Sequence, residues 1–414
     1  MNPLYNAGIA LYSAAARIAA LRQGKARRLV DGHKQIFSRI ERSGCKQFDV
    51  WIHAASVGEF EQARPLIERI RAERPQWKIL LSFFSPSGFE LRKNYDKADC
   101  VVYLPFDTPA NARRFIDAVN PRVAIFVKYE FWGNYLSELK RRNIPTYIIS
   151  AIFRPGQRFF KRWGGMWRRL LQCFTHLYVQ DRASAELLRG IGIENVTVAG
   201  DTRFDRVSAV RSQRLDMPYL ERWATPVTIV AGSSWEADEE IYLRWLAAHP
   251  DVKIIIAPHE FDDRRIKAIC EAVPGKSALI TDIMREEKVD DDVRAVIVNC
   301  FGKLSALYRC GHVALIGGGF GAGIHNINEA AVYGMPVIFG PKHNKFKEAA
   351  DLIELGGGFE YHDLDSLSAV MSRLCSSQKS LSDASSICEK YIAGNIGATE
   401  KIYSLIFSEN NTEK

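Results

Sequence analysis

A glutamate stands where a predicted strand meets a predicted helix near the N-terminus. Residues 49–60 read DVWIHAASVGEF, an apolar run that ends in small residues and a glycine just before Glu59. A carboxylate in the first turn of a helix complements the positive end of the helix dipole, which is its ordinary structural role. Held on a rigid turn, the same carboxylate could act as a general base. The local residues favour capping slightly and leave both roles open.

A second stretch, residues 317–341, is rich in residue types that bind phosphate and sugars. It reads GGGFGAGIHNINEAAVYGMPVIFGP. A strand is predicted to end in the glycine-rich loop, and a helix to begin near His325 and Asn326, with Glu329 one turn in. Glycines let the backbone approach a ligand, and the free N–H groups of a helix N-terminus favour phosphate. Glu329 could accept the two hydroxyls of a ribose. The structural alternatives are a tight turn for the glycines and, for Glu329, a charge in the first turn of a helix.

Other motifs that could bind a nucleotide or a metal are incomplete or lie in the wrong structural context. Residues 317–322 match G-x-G-x-x-A, but the next strand ends in Phe-Gly-Pro instead of the acidic residue that a dinucleotide ribose needs. Residues 275–277 read GKS without the first glycine of a P-loop. The one D-x-D, at residues 363–365, leads a predicted helix and is a poor metal site. The eight cysteines are scattered singly, which indicates reduced thiols in a cytoplasmic protein and argues against structural zinc. We therefore expect no metal and no cofactor.

These residues must be positioned by regular elements, and the chain alternates short apolar runs with amphipathic segments. Runs such as DVWIHA, KILLSFF and VAIFVKYEF predict strands in the first half, and PVTIVAG, VKIIIAP and VALIGGG predict strands in the second. This alternation indicates βαβ units and parallel sheets. It predicts an α/β protein with two Rossmann-like domains whose parallel sheets face a central cleft. Open α/β sheets bind ligands beyond the carboxyl ends of their strands.

The predicted strand ends carry hydroxyl groups, glycines and acids in both halves. The first half supplies Ser56, Gly58, Glu59, Ser85 and Glu130, and the second supplies Ser233, Ser234, His259, Gly321, Gly323, His325, Asn326 and Glu329. The predicted domains are an N-terminal membrane-associated helix (1–22), a first Rossmann-like domain (23–205), a linker (206–225), a second Rossmann-like domain (226–390), and a C-terminal helix and tail (391–414).

The formal charge of +8 indicates an anionic partner. No helix-turn-helix, finger or RNP pattern accompanies the basic residues, which argues against nucleic acid. The N-terminal segment carries apolar residues at helical spacing, with no charge before Arg17 and a basic flank after it. This pattern fits an interfacial helix on an anionic membrane surface, and it fits about equally a helix packed on its own domain. A second basic block, residues 154–169, is interleaved with aromatic residues.

Taken together, six motifs resemble the 3-deoxy-D-manno-octulosonic acid (Kdo) transferases. In chain order they are WIHAASVGE, YLPFDTPANARRF, VKYEFWGNYL, GDTRFD, AGSSWEADEE and GIHNINEAAVYGMPVIFGP. The resemblance runs over nearly the whole chain. It implies a GT-B fold and a metal-independent, inverting glycosyltransferase that moves Kdo from CMP-Kdo to a lipid A precursor (lipid IVA) in lipopolysaccharide biosynthesis. It also implies the cytoplasmic face of the bacterial inner membrane, with peripheral or N-terminal attachment.

The resemblance assigns roles to particular residues. Glu59 becomes the catalytic base and Glu130 the second catalytic carboxylate, while Ser56, Gly58 and Ser85 would bind the acceptor. The donor would be bound by Ser233, Ser234, Gly321, Gly323, His325, Asn326 and Glu329. The chain has APHEFDD where the family commonly has Pro-Arg-His, so His259 or Arg203 would supply positive charge to the donor phosphate. Trp235 stands where a histidine is usual.

Two alternatives remain at this level. One is another GT-B glycosyltransferase that uses a UDP-sugar and a lipid-linked acceptor, which suits residues 317–329 but not HAASVGE. The other is a non-catalytic, membrane-associated binding protein that keeps the fold, against which the two intact carboxylates argue.

Overall fold

A computed structural model describes residues 3–22, 24–212, 217–224 and 227–408. The chain divides into two units. The first runs to Arg206 and takes up the chain again from Ile396, and the second comprises Val207–Asn395. Parts of the predicted N-terminal helix, first domain, linker, second domain and C-terminal tail (residues 1–2, 23, 213–216, 225–226 and 409–414) lie outside the described residues.

The first unit is built on a seven-stranded parallel sheet in the order β3-β2-β1-β4-β5-β6-β7. Its strands are β1 Phe48–His53, β2 Ile79–Phe83, β3 Cys100–Tyr103, β4 Pro121–Val127, β5 Thr146–Ala151, β6 His176–Val179 and β7 Val196–Val198. Strands such as β2 and β5 are buried along their whole length, because helices cover both faces of a parallel sheet. This explains why they read as continuous apolar runs in the sequence.

The helices of the first unit surround this sheet. They are α1 Pro3–Ala19, α2 Gly24–Lys34, α3 Ile36–Arg42, α4 Val57–Glu73, α5 Pro86–Arg92, α6 Pro109–Val119, α7 Gly133–Arg141, α8 Gly165–Leu171 and α9 Arg182–Arg189, with a short 3₁₀ turn at Arg158–Phe160. Side-chain caps fix several starts: the Thr108 hydroxyl accepts the Asn111 N–H at the start of α6, and Asp181 accepts the Ser184 N–H at the start of α9.

The second unit repeats the architecture, with strand order β10-β11-β9-β8-β12-β13-β14. Its strands are β8 Thr228–Ser234, β9 Lys253–Pro258, β10 Lys276–Leu279, β11 Val293–Ile297, β12 Val313–Ile316, β13 Val337–Phe339 and β14 Gly358–Glu360. Its helices are α10 Thr202–Ser212, which begins in the first unit, α11 Pro218–Trp223, α12 Glu236–Ala247, α13 Asp263–Ala272, α14 Ile280–Glu286, α15 Leu304–Leu307, α16 Asn328–Ala331, α17 Lys347–Leu355, α18 Leu364–Cys375 and α19 Gln378–Ala393, with a 3₁₀ turn at Tyr308–Cys310.

The prediction of an α/β protein with two parallel-sheet, Rossmann-like domains is confirmed. The expectation that the two sheets face a common cleft stays a prediction. The segment predicted as a linker contains the end of α10 and all of α11 in its described part. In both sheets the strand order reverses beside the first strand, between β1 and β4 and between β8 and β12. Such a reversal marks where open α/β sheets bind ligands.

The last helix, α20 Ala398–Phe407, returns to the first unit and contacts α4. Ile402, Ile406 and Phe407 belong to the core of that unit. The Asp205 carboxylate accepts three hydrogen bonds at the start of α20, from the Gly397 N–H (2.6 Å), the Thr399 N–H (2.8 Å) and the Thr399 hydroxyl (2.7 Å). This carboxylate therefore anchors the C-terminal helix.

The N-terminal helix α1 packs on its own domain along one side and leaves apolar side chains exposed on the other. On one side, the Tyr5 hydroxyl donates to Asp107 (2.5 Å) and accepts the Gly133 N–H (3.1 Å). On the other side lie exposed apolar residues, among them Leu11 and Ile18. Among the described residues, no helix has the length and apolar character that a membrane crossing requires.

Candidate active site

Two carboxylates follow the two strands that flank the reversal in the first sheet. Glu59 comes after β1 and Glu130 after β4, and these strands pair in parallel with His53 opposite Phe126. Because neighbouring parallel strands end at the same edge, both carboxylates lie on the carboxyl edge of the sheet. The structure thus puts the two predicted catalytic residues where this fold carries its chemistry.

Glu59 lies in the first turn of α4 and is tied to the residue that caps this helix. The Ser56 hydroxyl accepts the Gly58 N–H (3.3 Å) and donates to the Glu59 carboxylate. Gly58 has open space where a Cβ would stand, with the Ser56 Oγ 3.8 Å away as the nearest atom. Glu59 itself is partly exposed. The carboxylate therefore joins the cap and still has access to solvent, so capping and proton transfer are compatible.

Glu130 is held much more tightly. Its Oε2 accepts the Trp132 indole N–H (2.5 Å) and lies 3.2 Å from the His53 Nε2. The His53 Nδ1 lies 2.9 Å from the Ser82 hydroxyl, which also accepts the Trp51 indole N–H (2.8 Å). A carboxylate only accepts hydrogen bonds when ionised, so we assign the imidazole proton to Nε2. The His53 side chain is fully buried, and 12% of the Glu130 side chain is exposed.

Tyr129 connects the surroundings of the two carboxylates. Burial raises the pKa of its phenol; the positive charges of Arg154 and Arg203 lower this pKa, and the negative charges of Glu59 and Asp201 raise it. Arg203, predicted to bind the donor, belongs to the first unit and pairs with Asp201 (2.8 Å). Burial opposes ionisation of Asp201, but the charge and hydrogen bonds of Arg203 hold its pKa below the usual range. Arg203 is therefore a cation fixed in the neighbourhood of Glu59, and its donor contact stays a prediction.

Ser85 lies beside the Glu59 turn, although it makes no side-chain cap on α5. Its hydroxyl lies 2.8 Å from that of Ser87, and its backbone N–H donates to the Ala55 carbonyl (2.7 Å). A Cβ on Gly88 would come within 3.2 Å of the Ser56 carbonyl carbon. The loops after β1 and β2 are thus joined, which brings the predicted acceptor residues Ser56, Gly58 and Ser85 together.

In the second unit, β8 ends in an unusual backbone conformation. Ser233 has a φ of +53°, which a residue other than glycine adopts at a cost. A Cβ on Gly317, which follows β12, would lie 2.1 Å from the Ser233 carbonyl oxygen, so only glycine fits. The hydroxyl of the neighbouring Ser234 is buried and donates to Glu239 (2.8 Å). Of the two serines predicted to bind CMP-Kdo, Ser234 therefore already uses its hydroxyl in a hydrogen bond within the protein.

Three aromatic rings stack beside this strand end. The His259 and His325 rings stack with centroids 4.1 Å apart, and the centroids of Trp235 and His259 are 5.0 Å apart. The Trp235 indole N–H also donates to the His325 Nε2 (3.3 Å). Burial, with a contribution from the charge of His259, lowers the pKa of His325 to about 4. At neutral pH His325 is therefore uncharged, and its proton is on Nδ1.

The helix predicted near His325 begins later and is shorter than expected. The glycine loop folds back on itself: the Gly321 and Gly323 N–H groups donate to the Gly318 carbonyl (2.9 and 3.2 Å), and Gly323 has a φ of +135°. These bonds hold the chain out of the helix until Asn328, and α16 has only four residues. The expectation of a phosphate-binding helix N-terminus at His325 is wrong for this reason. A Cβ on Gly319 would lie 2.5 Å from the Gly340 backbone, so the loop is also tightly packed.

Glu329 already has partners on both carboxylate oxygens. Ser305 donates its hydroxyl to one, and the Asn326 amide donates to the other (3.1 Å). Each oxygen has two lone pairs, so hydroxyls of a ligand could still be accepted. Within the described residues, no group of three or more His, Cys, Asp and Glu side chains could hold a metal ion.

Comparison with known proteins favours one of the functions that this geometry allows. Residues 27–206 match the family model described as 3-Deoxy-D-manno-octulosonic-acid transferase (kdotransferase). A 3-deoxy-D-manno-octulosonic acid transferase of Aquifex aeolicus is 27% identical over 356 residues, which cover 84% of this chain and 92% of the relative. One of Haemophilus influenzae is 25% identical over 383 residues, 86% of each chain. Over most of its length, this chain is therefore similar to Kdo transferases.

Solved structures bear on the fold of this protein. A UDP-N-acetylglucosamine 2-epimerase superposes with a TM-score of 0.61 at 13% identity, covering 89% of this chain and 98% of the other. MurG of Acinetobacter baumannii superposes with a TM-score of 0.55 at 12% identity, covering 87% and 99%. The protein therefore has the GT-B type of fold, and at these identities the likeness extends to the fold alone.

Sequence reasoning missed the residues that hold Glu130 in place. His53, Ser82 and Trp132 come from three separate segments and meet only when β1, β2 and β4 pair. His53 is part of WIHAASVGE, and a histidine at the end of a buried apolar strand was a usable signal. Ser82 and Trp132 carried no such signal, since their partners are distant in the chain.

The basic–aromatic block at residues 154–169 surrounds an apolar cavity of about 470 Å³ next to the Glu130 loop. Tyr129 and Phe131, on either side of Glu130, form one wall, and Phe159 and Trp167 form another. Arg158 lies over the Trp167 ring, with its guanidinium carbon 5.1 Å from the centroid. An apolar space bounded by a cation is thus open beside the candidate site.

Proposed function

We propose that this protein transfers Kdo from CMP-Kdo to the primary hydroxyl of a lipid A precursor, with inversion at the anomeric carbon. One observation carries the proposal: in a chain similar to Kdo transferases, Glu59 is held by the Ser56 cap at the ligand-binding edge of the first sheet, with access to solvent. A capped first-turn carboxylate is fixed by the helix start and remains able to accept a proton.

In this mechanism Glu59 takes the proton of the acceptor hydroxyl. As that proton leaves, the hydroxyl oxygen forms a bond to the anomeric carbon of Kdo from the side opposite CMP. The bond between that carbon and the phosphate oxygen breaks, and CMP departs with the electron pair. One displacement inverts the configuration, and positive charge develops on the sugar ring in the transition state.

The reaction also needs a fixed negative charge, which Glu130 can supply. Its hydrogen bonds from Trp132 and His53 fix one carboxylate oxygen, so the charge keeps one position while the sugar ring becomes positive. On the donor side, the residues around Ser233, His325 and Glu329 offer N–H groups for one phosphate and a carboxylate for the ribose. The phosphate of CMP is single, so a few such donors can stabilise it.

The central test replaces the base without changing its size. Glu59→Gln should reduce kcat by about 10²–10⁴-fold, the usual contribution of a general base, and should leave CMP-Kdo binding and thermal unfolding unchanged. Glu73→Gln is the matched control, because Glu73 ends the same helix and pairs on the surface with Arg69. Full activity of Glu59→Gln would overturn the assignment.

The donor and acceptor need their own experiment. Release of CMP from CMP-Kdo should greatly exceed release of UDP from UDP-sugars, and mass spectrometry should find the lipid A precursor heavier by one or more Kdo residues. Turnover of a UDP-sugar in place of CMP-Kdo would favour the alternative glycosyltransferase.

We also propose that the protein works at the cytoplasmic face of the bacterial inner membrane, bound to anionic lipids through α1. The support is the exposure of apolar side chains on one side of this helix, where Leu4, Leu11 and Ile18 are 69–79% exposed. An exposed apolar stripe of this kind is typical of a lipid-binding surface. The opposite face of α1 is held to the domain, so the stripe can be changed without removing the helix.

The membrane proposal is tested by sedimentation with vesicles that contain phosphatidylglycerol. The triple variant Leu4→Ser, Leu11→Ser, Ile18→Ser should lose most of its vesicle binding and keep its activity on detergent-dispersed acceptor. Leu91→Ser, which changes an exposed leucine on α5, is the control. Unchanged sedimentation of the triple variant would refute a lipid-binding role of this face.

A further inference from the structure

A second cavity in the first unit has the character of an anion site, and it is distinct from the cavity beside Glu130. Its volume is about 510 Å³, within the usual range of small-molecule sites. It lies between the end of α1, helices α2 and α3, and the start of α6. Its polar lining consists of Arg17, His33, Lys34, Asn111 and Arg114.

The charges around this cavity are unbalanced. Three cationic side chains line it, and the described lining residues include no carboxylate. Lys34 is partly neutralised by Asp31, with Nζ 2.8 Å from Oδ1. Among the described residues, Arg17 and Arg114 have no acidic partner within ion-pair distance. Arg114 instead lies over the Phe37 ring, 3.8 Å from its centroid, which holds the guanidinium in place.

His33 provides an independent sign that a ligand belongs here. Its Nε2 is buried and has no hydrogen-bond partner among the described residues, an arrangement that costs free energy unless something fills it. The ring is held in place by Phe106, with centroids 4.6 Å apart. Burial and the charge of Arg17 lower the pKa of His33 to about 4. Burial, the larger cause, disfavours any charge here, whereas the positive charge of Arg17 favours an anion.

We propose that this cavity binds a phosphate group, through the guanidinium groups of Arg17 and Arg114 and the Nε2–H of His33. Guanidinium groups match the planar, bidentate recognition of phosphate oxygens. Two sources share this chemistry: the headgroup of an anionic phospholipid, and a soluble phosphate compound. The exposed apolar face of α1, which includes Ile18 next to Arg17, favours the headgroup. The inference does not depend on Kdo transfer.

Inorganic phosphate is the first probe, with binding measured by calorimetry and by the NMR signals of the His33 ring. Saturable binding should shift the His33 signals. Arg114→Gln and Arg17→Gln should each weaken the binding at least about tenfold, the effect of losing ~1.4 kcal/mol. Arg113→Gln, which changes the neighbouring arginine of α6 outside the cavity, should leave it unchanged. CMP binding should be normal in all three variants, so a failure here is separate from a failure of the proposed transfer reaction.

Vesicles distinguish the two sources. If the ligand is a headgroup, inorganic phosphate should compete with phosphatidylglycerol vesicles and Arg114→Gln should weaken sedimentation; if it is soluble, phosphate should bind without competing. Two results would overturn the proposal: no saturable phosphate binding by the wild-type protein, or equal binding by the wild type and both cavity variants. Having two variants on different helices guards against a change of fold in one of them.

Discussion

Replacing Trp235 with phenylalanine isolates one hydrogen bond in the ring stack of the second unit. The indole N–H only donates, so its bond to the His325 Nε2 (3.3 Å) requires a lone pair there and keeps the imidazole proton on Nδ1. Phenylalanine retains an aromatic face toward His259 and removes the donor. The backbone N–H of residue 235, which donates to Asp238 (3.0 Å) at the start of α12, is preserved.

The expected magnitude follows from the loss of one neutral hydrogen bond. Such a bond contributes about 0.5–1.5 kcal/mol net, which is ~2–12-fold in an equilibrium constant. A bond that occupies the Nε2 lone pair stabilises the neutral imidazole, so its loss should raise the pKa of His325 from about 4 by at most ~1 unit. If the Nδ1–H of His325 donates to CMP-Kdo, the loss of a fixed tautomer should raise the KM for CMP-Kdo by ~2–12-fold.

Two measurements check this reasoning together. The ¹⁵N shifts of His325 should report the Nδ1–H tautomer in the wild type and a mixture in Trp235→Phe, and steady-state kinetics should show the higher KM. Trp245→Phe is the control, since Trp245, in helix α12, stacks on His249 at 3.9 Å. The reasoning would be refuted by an unchanged His325 tautomer and KM in Trp235→Phe, or by equal changes in the control.

Three further outcomes follow from local geometry. Gly319→Ala should destabilise the second unit by several times RT or prevent its folding, because the new Cβ would meet backbone atoms at 2.5 Å. Gly321→Ala, whose new Cβ would have its nearest atom at 3.6 Å, should fold normally. Thermal melts compare the two variants. Asp205→Ala should lower the free energy of unfolding by roughly 2–4 kcal/mol in urea titrations, because helix α20 loses three hydrogen bonds to a charged acceptor. In the folded protein, the pKa values of His33 and His325 are about 4, below the ordinary 6.5, so the unfolded chain binds protons first as the pH falls. The free energy of unfolding should therefore fall between pH 6.5 and 4 by roughly 1–2 kcal/mol for each histidine after solvent screening. Replacing both histidines with glutamine should flatten that pH dependence.

The fold was predictable because buried parallel strands must be apolar on both faces. Runs such as DVWIHA and VKIIIAP therefore appear in the sequence as complete strands, and the helices between them show the expected amphipathic pattern. The return of α20 to the first unit was not predictable. It depends on Asp205 and residues 397–399, which are far apart in the chain and have ordinary local sequence.

The candidate site was predictable to the level of strand ends, but not to the level of hydrogen bonds. The position of Glu59 and Glu130 at one sheet edge was predictable because each follows an apolar strand in the sequence. The start of α16 was misplaced because the glycine loop is closed partly by a distant segment: the Lys342 N–H donates to the Gly319 carbonyl (2.9 Å), and Ile324 donates to the Lys342 carbonyl (3.3 Å). Local propensity carries no information about such a closure.

The unequal anchoring of the two carboxylates argues for a division of labour between them. A general base must approach a moving hydroxyl and release its proton later, so it benefits from exposure and from a light tether. Glu59 has both, since among the described residues its side-chain hydrogen bond comes from the Ser56 hydroxyl. A group that stabilises charge benefits from a fixed position, because no reorganisation is then needed as the charge develops. Glu130 is fixed in this way by Trp132 and by His53, whose ring is in turn held by the buried Ser82. The anchoring thus favours Glu59 as the base and Glu130 as the electrostatic partner, the same order that the family resemblance implies.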